Sequence, residues 1–99
     1  MLDKLELVTS RGYEKAAFAA MSTYPSRPIR ARRLYKTAIE KGSTNPLTFH
    51  RYAQLLRRDG KNGEAIEMWE LAIGLDPLNS TFYRSMAYAL RSKGEKDED

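Results

Sequence analysis

The chain has 99 residues, no cysteine, a single histidine and a formal net charge of +4. A chain this short forms one small domain whose margin of stability is modest, and without cysteine both a disulfide framework and a thiolate metal site are excluded, so packing alone must hold it. No run approaches the roughly 18 to 20 apolar residues of a membrane-spanning helix, and Asp3 and Glu6 interrupt the opening stretch, so neither a signal peptide nor an anchor is expected.

Residues 1–11 read as an N-terminal segment, 12–94 as the folded domain and 95–99 as an acidic, disordered tail. Tyr13, Ala16, Ala17, Ala20, Met21 and Tyr24 recur at spacings of three and four, which predicts a first helix ending near Pro25. Pro28 suits the first turn of a second helix, carried by Ile29, Ala31, Leu34, Tyr35, Ala38 and Ile39 to a cap at Gly42. Asn45-Pro46 is an N-cap followed by proline, opening a third helix through Phe49, Tyr52, Ala53, Leu55 and Leu56 that Gly60 closes. A fourth helix starts at Asn62 or Gly63 and buries Ala65, Ile66, Trp69, Ala72 and Ile73 until Asp76-Pro77 breaks it. Asn79 or Ser80 caps a fifth, whose stripe is Phe82, Tyr83, Met86, Ala87 and Leu90, ending at Gly94. No alternating strand pattern of useful length appears, so the fold class is all-α with about five helices.

Ala53, Leu56 and Gly60 are echoed 34 residues later by Ala87, Leu90 and Gly94, and a fixed period in that range marks stacked helix pairs with a free concave surface. Charge follows the same division. Nine Lys or Arg fall between Arg27 and Arg58 against Glu40 alone, whereas Asp59, Glu64, Glu67, Glu70 and Asp76 face only Lys61 up to Ser80.

Tyr52-Ala53, Leu56, Gly60, Ala65, Ala72 and Asp76-Pro77 together resemble a tetratricopeptide repeat over about Pro46 to Asn79. Small Ala53 and Ala65 sit where paired helices approach closely, with bulky Phe49, Leu56 and Trp69 around them. The preceding pair keeps Ala31, Tyr35, Ala38 and Ile39 at the matching offsets, although Tyr24-Pro25-Ser26-Arg27-Pro28 replaces the glycine-containing turn. Ala31-Arg32-x-Leu34-Tyr35-x2-Ala38 is also similar to the half-a-TPR repeats of RNA-processing scaffolds. The resemblance implies an antiparallel helix-pair solenoid of two and a half repeats, about Gly12 to Gly94.

In such arrays the first helix of each pair lines the groove, which here implies a partner-binding face of His50, Gln54, Arg57, Arg84, Tyr88 and Arg91. His50 and Arg84, Gln54 and Tyr88, and Arg57 and Arg91 are each one period apart. Arginine pairs planar with carboxylates or phosphates, so the expected partner is a protein or peptide with an acidic or carboxylate-bearing segment. The carboxylate-clamp subclass is not expected, because Gln54 and Ser85 stand where its asparagine and arginine would be. Tyr83, Met86, Ala89 and Leu90 have no following helix to cover them; Tyr83, Met86 and Leu90 are the residues for self-association as a homodimer, the alternatives being stacking onto further repeats of a longer chain or a monomer. A second reading is an RNA-associated scaffold using Arg27, Arg30, Arg32, Arg33 and Lys36 on phosphates, and the bland alternative is that Arg30, Arg33 and Lys36 pair with Glu64, Glu67 and Glu70 of the neighbouring repeat or are simply solvated. A lone histidine, no cysteine and no glycine-rich phosphate loop give no basis for an enzyme, a metal or a cofactor. The expectation is a non-enzymatic, cytoplasmic adaptor or scaffold that does not enter membranes.

Overall fold

The computed structural model describes residues 9–23 and 25–97, with side chains up to Gly94, and every regular element among them is an α-helix. α1 spans Ser10–Ser22, α2 Pro28–Glu40, α3 Pro46–Arg58, α4 Asn62–Leu75 and α5 Ser80–Asp97. None of these helices is long and apolar enough to cross a membrane. The segment read as residues 1–11 lies outside the described residues up to Val8, as do Tyr24 and the last two residues of the tail.

Helix starts follow side-chain chemistry where it exists. Asn45 Oδ1 accepts from the Leu47 amide at 3.0 Å ahead of Pro46, and Asn79 Oδ1 accepts from the Thr81 amide at 3.1 Å. Thr9 caps α1 by accepting from the Gly12 amide at 3.3 Å, so α1 starts before Gly12, the expected edge of the domain. α2 and α4 begin behind Arg27 and Lys61, neither of which makes a side-chain cap.

Two helices end in the same way. After α3 the Gly60 amide donates to Arg57 O and the Lys61 amide to Leu56 O, both at 2.9 Å; after α2 the Gly42 amide donates to Ile39 O at 3.0 Å and the Ser43 amide to Ala38 O at 3.1 Å. This pair of bonds needs a left-handed residue, and Gly42 and Gly60 sit at φ 90° and 81°. Gly94, the echo of Gly60, does not repeat the turn: it lies inside α5, which runs on to Asp97. Lys93, Glu95 and Lys96 are good helix formers, and their preference outweighs the cost of one helical glycine, about 1 kcal/mol. The two glycines therefore respond oppositely to alanine. Gly60→Ala lowers stability by about 1 kcal/mol or more through left-handed strain, whereas Gly94→Ala, with nothing within 4 Å of the added Cβ, raises it by about 0.5 to 1 kcal/mol. Urea midpoints measured at constant slope check both signs.

Close contacts group the helices into an N-terminal unit containing α1 and α2 and a C-terminal unit, from Asn45 on, containing α3, α4 and α5. In the first, α1 packs on α2, with Ala17, Ala20, Ala31, Tyr35 and Ala38 buried. The Arg27 amide donates to Ala20 O at 2.8 Å across the proline-containing turn, and the Ser43 hydroxyl donates to the Glu14 carboxylate, tying the exit of α2 back to α1.

In the C-terminal unit α4 packs against both α3 and α5. Ala53, Ala65 and Ala72 are wholly inaccessible, and Phe49, Leu56, Ile66 and Trp69 fill the space around them. The buried line of α5 is Phe82 and Ala89, while Tyr83, Ala87 and Leu90 are exposed, which corrects the expected stripe. Apolar residues cover much of this helix's circumference, so spacing alone fits more than one line, and Phe82 is the one that meets its neighbours. Ala89, expected to lie open, is covered.

Candidate functional site

α5 brings three of the expected partner-binding residues together. Arg84, Tyr88 and Arg91 follow one another at helical spacings of four and three, so all project from one face, and with Ala87 they line a cavity of about 210 Å³. Tyr88 is 57% exposed, an aromatic surface available between two arginines, and the small Ala87 leaves the helix backbone approachable. A second cavity of about 330 Å³ is lined by Arg57 and Arg58 at the end of α3, Asn62 at the start of α4 and Ser92 on α5. Arg57 thus belongs to this neighbouring cavity rather than to the one around Tyr88. Gln54 is exposed on α3 and lines neither.

His50 does not belong to the face. It is 9% exposed, its Nδ1 accepts from the Trp69 indole N–H at 2.8 Å, and its ring centroid lies 5.1 Å from that of Phe82 and 6.2 Å from that of Trp69. The physical reason is Trp69: a fully buried indole needs an acceptor for its N–H, and His50 is the group that supplies it. Nothing local signals this, because the partner lies a whole helix further along the chain. Thr48 and Asn62 are likewise buried polar residues.

The bond places the imidazole proton on Nε2 and requires the neutral ring. Burial, and then the charge of adjacent Arg51, push the His50 pKa below its ordinary value. The unfolded chain therefore takes up a proton more readily than the folded one. Stability of the C-terminal unit is at its full value above about pH 6.5, declines as pH falls below that, and levels off once the folded-state pKa has been passed. Urea midpoints taken stepwise through this range should show the decline, and His50→Gln, which keeps an acceptor but no titrating ring, should flatten it.

The expected self-association residues are partly open. Tyr83 and Leu90 are exposed, Met86 is half-buried, and the Tyr83 hydroxyl donates to Pro77 O at 3.0 Å, holding that ring beside the turn after α4. On the N-terminal unit, Arg27, Arg30 and Arg33 with Pro28, Ile29 and Leu34 line an open cavity of about 570 Å³, while Lys36 is exposed. Among the described residues no three His, Asp or Glu side chains gather around a position that could hold a metal ion.

No protein-family model matches the chain, and no curated protein matches it at a significant level.

Proposed function

We propose that the chain is a non-enzymatic protein-interaction module of tetratricopeptide-like design, holding an acidic or carboxylate-bearing segment of a partner on the Arg84, Tyr88 and Arg91 face of α5. The cavity that these residues share with Ala87 carries the reading. Two guanidinium groups separated by two helical turns bind carboxylates through paired, charge-assisted hydrogen bonds, and Tyr88 between them supplies apolar area against the peptide. Arg57 and Arg58 on α3, which line the second cavity with Ser92 of α5, add to the positive field of this unit. An enzymatic role finds no support in the one histidine, whose acceptor nitrogen is engaged by Trp69.

The test is fluorescence anisotropy with a labelled acidic peptide ending in a free carboxylate. Arg84→Glu with Arg91→Glu should weaken binding at least about a hundredfold, since losing two charge-assisted contacts of about 1.5 kcal/mol each and adding repulsion multiplies to that order. Arg57→Glu should cost less, about tenfold or under, because its cavity lies alongside. Unchanged affinity in the double variant, with helix content intact, would remove α5 as the docking face.

A further inference from the structure

The outer faces of α2 and α4 carry opposite charge at the same pitch. α2 exposes Arg30, Arg33 and Lys36 at three-residue intervals, its only acid is Glu40, and Ile29 beside them is 63% exposed. α4 exposes Glu64, Glu67 and Glu70 at the same intervals, contains no Lys or Arg, and leaves Leu71 and Leu75 exposed along that side. Each helix therefore repeats like charges three residues apart, an unfavourable arrangement for an isolated helix surface, and α4 has no opposite charge of its own to relieve it. At 13 and 14 residues the two helices are also matched in length.

We propose that these faces dock on one another between copies of this chain, α2 of one copy against α4 of the next. With α2 and α4 antiparallel, Arg30, Arg33 and Lys36 would face Glu70, Glu67 and Glu64 in that order, which sets Ile29 against Leu71 and Leu75 to exclude water between them. A second copy is the favoured occupant because one chain carries both halves at one spacing. A foreign acidic peptide would answer only the α2 half and leave the leucines and glutamates of α4 uncovered. The two surfaces differ, so each contact joins unlike faces of two copies, either reciprocally across a two-fold axis or head-to-tail. Two facing helix surfaces make a small, polar-rimmed interface, so the association is weak and sensitive to salt. Its effect is to bring the α5 faces of two or more copies together and raise avidity for a partner with repeated acidic segments.

Sedimentation equilibrium of the full chain tests this directly. The average mass should rise with protein concentration at low salt and return to that of the single chain at high salt. The triple variant Arg30→Glu, Arg33→Glu, Lys36→Glu and the triple variant Glu64→Lys, Glu67→Lys, Glu70→Lys should each weaken association at least about tenfold, as lost and then repulsive ion pairs require. An equimolar mixture of the two should regain association, because every α2 face then finds an α4 face of opposite sign. If either triple variant loses helix content, the single reversals Arg33→Glu and Glu67→Lys serve in the same mixing experiment. A chain that keeps its single-chain mass at low salt overturns the proposal, as does a mixture that fails to recover. Association that survives both reversals but is lost in Leu90→Asp would place the contact on α5 and overturn it too. Reversals that shift the melting temperature without affecting mass would show pairing within one chain, which equally overturns it.

Discussion

Trp69→Ala is expected to unfold the C-terminal unit. The side chain is the largest of those fully buried, and truncating a buried Trp costs about 3 to 5 kcal/mol from lost transfer energy and the cavity left behind. His50 Nδ1 then loses the donor that satisfies it, a further cost of about 1 to 3 kcal/mol for a buried acceptor left without a partner. A unit of this size has only a few kcal/mol in hand. Trp69→Phe separates the two contributions, since it keeps most of the bulk and removes only the N–H. It should leave a folded unit less stable by about 1 to 3 kcal/mol. Circular dichroism of both variants, with a urea curve for the phenylalanine form, checks the order of effects. A Trp69→Ala chain that remains folded would mean that the unit is far more stable than its core allows.

Phe82→Ala is the second large effect, and its consequence is functional as well as structural. Phe82 is fully buried and its ring packs on that of His50, so it is the anchor that seats α5 against the rest of the C-terminal unit. Truncation should cost about 3 to 4 kcal/mol. The loss falls first on α5, which is held by its contact with α4 and has no later helix among the described residues. Amide hydrogen exchange should accelerate along α5 more than along α3 and α4. Binding of the acidic peptide should weaken although Arg84, Tyr88 and Arg91 are all still present, because residues on a detached helix lose their fixed spacing. Tyr88→Ala is the control: it removes an exposed ring, leaves stability nearly unchanged, and lowers affinity directly.

Signals confined to a few neighbouring residues were legible in the sequence. Asn45-Pro46 announces the start of α3 and Gly60 its end because capping is local chemistry. The inaccessible Ala53 and Ala65 could be read from their size and spacing beside Trp69 and Leu56. His50 could not, because its burial is decided by Trp69 on a different helix, and a period of 34 residues aligned it with exposed Arg84 as though the two positions were equivalent. Gly94 failed for a related reason: a sequence echo matches residue types, whereas a left-handed turn forms only where the chain has to reverse. On α5, Tyr83 and Phe82 are adjacent and both aromatic, and only the packed neighbours distinguish the buried one from the open one. The cluster of Arg84, Tyr88 and Arg91 was accessible to sequence reading because all three lie on one helix. Arg57 was assigned to the same groove by its place off the packing stripe of α3 and by period, and it lines a different cavity.

The bond between Trp69 and His50 also equips the molecule with an internal light source. The chain has one tryptophan, and it lies in the C-terminal unit, so indole emission reports on the packing of α3, α4 and α5. The indole N–H rests on a titrating imidazole, so the same emission also registers the protonation state of the core. Far-ultraviolet dichroism, by contrast, sums over all five helices. Recording both signals through one denaturation shows whether the two helical units melt as one cooperative body or as two, without adding any label to the chain.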